Sequence, residues 1–216
     1  MSDAAAGARS DEPKDTRLRI LEAALDLFST QGYAATSMRQ LARRVGVRES
    51  AIYSHFKAKQ EILDTLFHHY GPGQAVDRIL RIDKTELVRN PREVLNALVQ
   101  SGVAQWTRPE EAKLFRLGMM EHMVCAAGGS VPATQRVIAE LMERMTGLFA
   151  LLVRERVLVD RDPDFLLAQF MGPLLFMRQE CTVFRFSRES IEKLHAFCAK
   201  HVDFFLEKTL RTKETP

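Results

Sequence analysis

The chain has 216 residues, 46 % of them apolar and 27 % charged, with a net charge of +3. These values fit one or two ordinary globular domains and argue against a disordered, low-complexity or strongly polyanionic chain. No apolar run approaches the ~20 residues that a helix needs to cross a bilayer. Three widely spaced cysteines, Cys125, Cys181 and Cys198, form no CxxC motif and read as small apolar side chains in a reducing cytoplasm rather than as a disulfide framework or zinc ribbon.

The opening MSDAAAGARSDEPKD contains no apolar segment and does not read as a signal peptide. Small and polar residues up to Pro13 predict a disordered tail over 1–14, in which Arg9 and Lys14 are candidates for minor-groove contacts. Helical periodicity then recurs and convincing period-two runs do not, so the expected fold class is all-α. A first helix is predicted from about Asp15 to Thr30, with Leu18, Leu21, Leu25 and Phe28 on one stripe and Gly32 ending it.

The next stretch, TSMRQLARRVGVRESAIYSHFKAK (Thr36–Lys59), is the most informative. Ser37-x-x-Gln40 reads as a capping box opening a helix over Met38–Val45. Gly46 permits a tight turn, Val47 can plug the angle, and a second short helix is predicted over Glu49–His55. Six basic residues, Arg39, Arg43, Arg44, Arg48, Lys57 and Lys59, face Glu49 alone, a local charge of +5 on a chain that carries +3 in total. Such concentration points to phosphate. Two short helices at a steep angle let the second enter a major groove while the first crosses the backbone. The candidate DNA-binding residues are Thr36, Ser37, Arg48, Glu49, Ser50, Tyr53, Ser54, His55 and Lys59. Arg48 can fork onto guanine, Glu49 can accept from cytosine, and Thr36, Ser37, Tyr53, His55 and Lys59 can bond phosphate oxygens. Phe56 reads as core.

A helix from about Lys59 to Tyr70 follows, stopped by Gly71-Pro72-Gly73. The domain reading is therefore a helix-turn-helix unit over 15–58, a connecting helix over 59–73 and a second helical domain over 74–210, with about nine helices in all. Asn90-Pro91-x-Glu93 starts a helix reaching Trp106, and Thr107-x-x-Glu110 starts one reaching Cys125. A loop over 128–132 precedes a long helix to Val157. Asp162-Pro163 starts a very apolar helix, Asp164–Phe184, and Ser187 caps the last, Arg188–Leu210. Phe165–Met177 is apolar nearly all round, and Pro173 inside it needs compensating packing. With the final helix it suits a bundle between two copies of the chain, for which Phe165, Phe176, Phe184, Leu194, Phe197 and Phe205 are the candidate interface residues.

At the N-terminal residues the chain resembles the TetR family of bacterial transcriptional regulators. The matching positions are Ile20–Tyr33 (ILEAALDLFSTQGY), Thr36–Ala42, Gly46-Val47, Ala51–Phe56 and Lys59–Leu63, so the resemblance covers about Thr16–Phe67. After Gly-Val the family usually has a capping Ser or Thr and then Lys-Gly, where this chain has Arg48, Glu49 and Ser50. That departure implies an unusual operator preference. The resemblance implies an all-α homodimer on a palindromic DNA operator, usually a cytoplasmic repressor. It also implies a C-terminal pocket whose small-molecule occupant moves the two DNA-reading heads apart.

Met and aromatic residues crowd the C-terminal region and suit a small, mostly apolar or aromatic effector. The candidate ligand-binding residues are Trp106, Phe115, Met119, His122, Met123, Phe149, Phe170, Leu174 and Met177, with Arg178, Gln179 and Glu180 as further anchors. Arg178 and Glu180 could equally form salt bridges at a dimer surface. No histidine pair has chelating i, i+4 spacing, which leaves a metal-responsive sensor as a weaker alternative, beside a helical adaptor that binds no DNA. No phosphate-cradling loop or nucleophile–base motif marks an enzyme, and no cofactor or membrane partner is implied.

Overall fold

The computed structural model describes residues 12–128, 132–184 and 187–211. Helix α1 (Glu12–Gln31) turns Ile20, Leu21, Ala24, Leu25 and Phe28 inward and ends at Gly32, whose φ of 89° is left-handed. Its inward stripe starts at Ile20 rather than Leu18, which is exposed. Helix α2 (Met38–Val45) opens on a complete capping box: Ser37 Oγ accepts from the Gln40 N–H, and the Gln40 side chain accepts from the Ser37 N–H at 2.7 Å. Gly46 closes it at φ 79°, and the N–H groups of Gly46 and Val47 both return to the Ala42 carbonyl. Helix α3 (Glu49–Tyr53) is two residues shorter than expected and starts at Arg48 without a side-chain cap. Helix α4 (Lys59–His69) begins where Glu61 reaches back to the Lys57 N–H at 2.7 Å.

Between α4 and the helix at Pro91 the chain folds into two short helices, α5 (Gly73–Leu80) and α6 (Lys84–Arg89). They raise the count among the described residues to eleven α-helices, above the nine or so expected. Asp83 caps α6 by accepting from the Thr85 and Glu86 N–H groups, a signal too short to show as periodicity. Helices α7 (Pro91–Trp106), α8 (Pro109–Gly128), α9 (Ala133–Arg154), α10 (Pro163–Arg178) and α11 (Arg188–Thr209) complete the body. The long helix expected over 164–184 changes pitch at Arg178 and continues as a π-helical turn, Gln179–Phe184. Arg156, at φ 58°, reverses the chain after α9, and Val159 donates to the Thr209 carbonyl at 2.8 Å, tying this turn to the end of α11. No described helix is long and apolar enough to cross a membrane.

Two apolar cores result. The N-terminal core joins α1–α4 and also takes Leu114 and Leu117 from α8 and Ala133 from the start of α9. The larger core joins α5–α7 and α9–α11 around Phe149, Phe170 and Phe205. Helix α8 therefore lies against both the N-terminal helices and the body. The same helix supplies the cap that Pro132 cannot: the buried Glu121 carboxylate accepts from the Ala133 N–H at 2.7 Å, the Thr134 N–H at 3.3 Å and the Thr134 hydroxyl at 2.7 Å. Glu121→Ala is expected to cost about 1–3 kcal/mol, because it leaves two N–H groups at the start of α9 without an acceptor. Thermal unfolding followed by circular dichroism checks this; an unchanged midpoint would contradict the role.

Candidate nucleic-acid interface and interior cavity

Helices α2 and α3 put their apolar side chains, Met38, Leu41, Ala42, Val45 and Ile52, into the N-terminal core and leave the opposite face in solvent. On that face Arg39, Arg43, Arg48, Glu49, Ser50, Ser54 and Lys57 are exposed, and Tyr53 is 49 % exposed. Ser37 is exposed too, with its hydroxyl engaged in the capping box. The Ser54 hydroxyl donates to the Ala51 carbonyl at 2.7 Å. His55 is half-buried.

Two residues read from sequence as phosphate contacts turn inward instead. Thr36 is 1 % exposed, donates to the Gly32 carbonyl at 2.9 Å and accepts from the Gln31 side chain. Lys59 sends its ammonium back to the carbonyls of Tyr33 (2.8 Å) and Thr36 (2.6 Å), over the Tyr33 ring. Burial lowers its pKa. Both brace the turn between α1 and α2. Two α1 arginines brace the far side: Arg19 donates to the Val45 carbonyl at 2.7 Å, and Arg17 donates to the His55 carbonyl at 3.1 Å while covering Phe56. These satisfy carbonyls at the ends of α2 and α3, and no sequence motif marked them.

The body holds a cavity of about 700 Å³ between α4, α5 and α7–α10. Of the expected ligand-binding residues, Trp106, Phe115, Met119, His122, Phe170 and Leu174 line it. Met123 is 72 % exposed, Phe149 is packed in the core between Phe170 and Phe205, and Met177 packs on that core, so these three stand outside it. Gln179 and Glu180 border a separate recess beside Phe176.

Sequence reasoning missed most of the cavity's polar wall. Arg78 donates to Gln105 Oε1 at 2.7 Å, and Gln105 Nε2 donates to the Gly71 carbonyl at 2.6 Å. Arg178 ion-pairs with the buried Glu111 and lies near the Trp106 and Phe115 rings. It faces this cavity rather than the outer surface expected as an alternative. Desolvation raises the Glu111 pKa, against the opposing pull of Arg178. These partners lie 27 to 67 residues apart in the chain, so local spacing could not reveal them.

The outer face of α10 exposes Phe165 (55 %) and Phe176 (65 %), and Phe204 of α11 is also exposed. Leu194 and Phe205, expected at a subunit interface, are buried within the chain's own core, and Phe197 packs partly against it. The side chains of Phe184 and Cys125, Arg9, Lys14 and residues 129–131 lie outside the described set. Cys181 and Cys198 are buried thiols, and burial with the nearby Cys181 pushes Cys198 up to about 11. Among the described residues no three His, Cys, Asp or Glu side chains converge as a metal site.

A family model of bacterial regulatory proteins, tetR family, matches residues 20–71. An uncharacterised helix-turn-helix regulator, TtgW of Pseudomonas putida, is 44 % identical over 55 residues, 26 % of this chain and 41 % of that one. TcmR of Streptomyces glaucescens, another helix-turn-helix regulator, is 27 % identical over 164 residues, 74 % of this chain and 68 % of its own. SmeT, the repressor of the multidrug efflux pump SmeDEF of Stenotrophomonas maltophilia, superposes with a TM-score of 0.65 at 19 % identity. That match covers 94 % of this chain and 95 % of SmeT and establishes a shared fold. The stronger sequence matches span only 26–41 % of the relatives' length.

Two outcomes follow from the inward-turned charges. Lys59→Met should lower stability by about 1–3 kcal/mol by leaving two carbonyls of the α1–α2 turn without their charged donor; an unchanged thermal midpoint would place the ammonium elsewhere. Glu111 has a folded pKa raised above its ordinary 4.5, so its contribution to stability is full below that pH and is lost as pH rises through the folded value. Glu111→Gln should therefore gain stability relative to the native chain as pH increases from about 4.5, read by denaturant unfolding at several pH values. A difference independent of pH would contradict this.

Proposed function

We propose that this chain, whose residues 20–71 match the model of bacterial regulatory proteins, tetR family, is a ligand-responsive transcriptional repressor of that family acting as a homodimer on a palindromic operator. The observation that carries the reading is the exposed cationic face of α2 and α3. The apolar partners of these helices are satisfied within the N-terminal core, while Arg39, Arg43 and Arg48 have no acidic partner among the described residues. Residues 15–58 form the DNA-reading unit, 59–73 the connecting helix, and 74–210 the effector-binding and dimerisation domain.

Arg48, Glu49 and Ser50 enter the major groove first, with Arg48 forking onto guanine. Tyr53, Ser37, Ser54, His55 and the outward arginines meet phosphates, while Thr36 and Lys59 hold the shape of the head. Two heads must present α3 about 34–36 Å apart to read successive turns of one DNA face. The exposed phenylalanines of α10 and α11 are the surface through which two copies pair. The effector is a small molecule with a mostly apolar body held in the cavity. Its occupation reaches the head through Gln105, which contacts both the cavity arginine Arg78 and the end of α4. Release follows only if the effector binds the DNA-free spacing of the heads more tightly than the DNA-bound one.

Gel-shift titration on palindromes from the gene's own upstream region tests the assignment. Arg48→Ala is expected to weaken specific binding by about 1–3 kcal/mol and relax preference at one base pair. Tyr53→Phe should weaken it less, and neither should move the thermal midpoint. Affinity that is unchanged in both variants, or that lacks salt dependence, would sink the DNA-reading role. For the dimer, Phe176→Glu should yield monomers in analytical ultracentrifugation and a sharp loss of operator affinity. A dimer of unchanged stability would move the interface elsewhere.

A further inference from the structure

The cavity's walls are mainly apolar, yet four polar side chains, Arg78, Gln105, Glu111 and Arg178, gather around the corner between α7 and α8. Each arginine spends one terminal N–H on the protein: Arg78 on Gln105, Arg178 on Glu111. Their Nε atoms are buried and meet no acceptor among the described residues, and Glu111 Oε2 is buried without a donor. Those three atoms are enclosed by protein, but the second terminal nitrogen of each guanidinium carries no described hydrogen bond and is not enclosed, so each arginine keeps a donor for an acceptor in the cavity. Two guanidiniums against one carboxylate leave the corner net positive in apolar surroundings, where charge selectivity is strong. Trp106 and Phe115 flank the Arg178 guanidinium at 5.6 and 6.0 Å and restrict its plane.

We propose that the effector is an amphiphilic organic acid, an alkyl or aryl body with one carboxylate head received by Arg78 and Arg178. This deepens the effector reading above and rests on it. A carboxylate has two oxygens and can accept from a free terminal N–H of each guanidinium, whereas an alcohol supplies one oxygen and an ammonium supplies no acceptor and meets two like charges. The other polar wall residues are less suited. Thr134 has its hydroxyl committed to Glu121, and His122 and Gln135 are exposed.

Trp106 is the only tryptophan in the chain and lines the cavity, so its emission reports occupancy directly. The full-length protein is titrated with decanoate, decanol and decylamine, and with 4-phenylbutanoate and its alcohol and amine. The acid of at least one series should bind about tenfold or more tightly than its alcohol, as expected for charge-assisted hydrogen bonds, and the amine should bind weakest. Arg78→Gln should remove that preference without changing alcohol binding. Arg178→Gln leaves Glu111 unpaired, so the double variant Glu111→Gln/Arg178→Gln serves beside it and should behave as Arg78→Gln does. Glu111→Gln alone should tighten acid binding several-fold, a gain that loss of a merely structural ion pair would not produce. Alcohols binding as well as acids, preference that survives both arginine changes, or no binding by either series would overturn the proposal. Operator release is measured separately: acids that bind but leave DNA affinity unchanged would overturn the effector reading and leave the acid selectivity standing.

Discussion

The turn between α4 and α5 is clamped at Gly71, and the way the two halves of the molecule meet depends on that clamp. The Gly71 carbonyl is held by the buried Gln105 side chain of α7. A side chain at Gly71 would begin 2.6 Å from Leu114 of α8 and 2.7 Å from the Phe67 carbonyl, and one at Gly73 would begin 2.5 Å from the His68 backbone. Contacts that close exclude any residue with a Cβ unless backbone moves. The Gly-Pro-Gly stretch therefore does more than stop a helix. It lets α4, α5, α7 and α8 meet at one point, where the N-terminal core, the body and the polar end of the cavity adjoin.

Charge is used in two opposite ways around this joint. Arg39 and Arg43 on α2 and Arg48 at the start of α3 remain exposed and pair with no acid among the described residues. Arg17, Arg19 and Lys59 instead donate to main-chain carbonyls near helix ends. Each fixes a loop or helix terminus whose carbonyls have no intrahelical partner. Exposed ion pairs such as Arg44–Asp26, at 3.6 Å, contribute little by comparison. The shape of the basic face thus comes from cations that do not lie on it.

Much of this was legible from local patterns. The capping box at Ser37 and Gln40, the left-handed Gly46 and the Pro91 start are encoded within four residues, and each folds as its spacing implies. What was illegible depended on distance. A lysine at the start of α4 reads as a phosphate ligand until the fold brings the Tyr33 carbonyl, 26 residues away, within 2.8 Å. Leu194 and Phe205 have the periodicity of an interface stripe, and nothing local distinguishes a partner chain from α7 or α10 of the same chain as the surface they meet. Gln105 and Glu111 sit among residues that read as ordinary helix, so their burial at the cavity corner left no signal. Of the residues that composition singles out, Trp106, Phe115, Met119 and Phe170 line the cavity, while Met123, Phe149 and Met177 stand outside it.

The polar corner is hard to explain as a stabilising feature. Burying an ion pair usually costs about as much in desolvation as it returns, and apolar replacements are often at least as stable. Here the pair is also incomplete, with one unmet atom on each partner. A fold selected for stability alone would fill that corner with leucine. The corner also adjoins Gln105, whose amide is bonded to Arg78 on one side and to Gly71 on the other. Any molecule that re-aims Arg78 must disturb the acceptor side of that amide, and with it the clamp on α4. Surplus positive charge beside a contact between head and body is therefore best understood as binding capacity, positioned where its use is felt by the head.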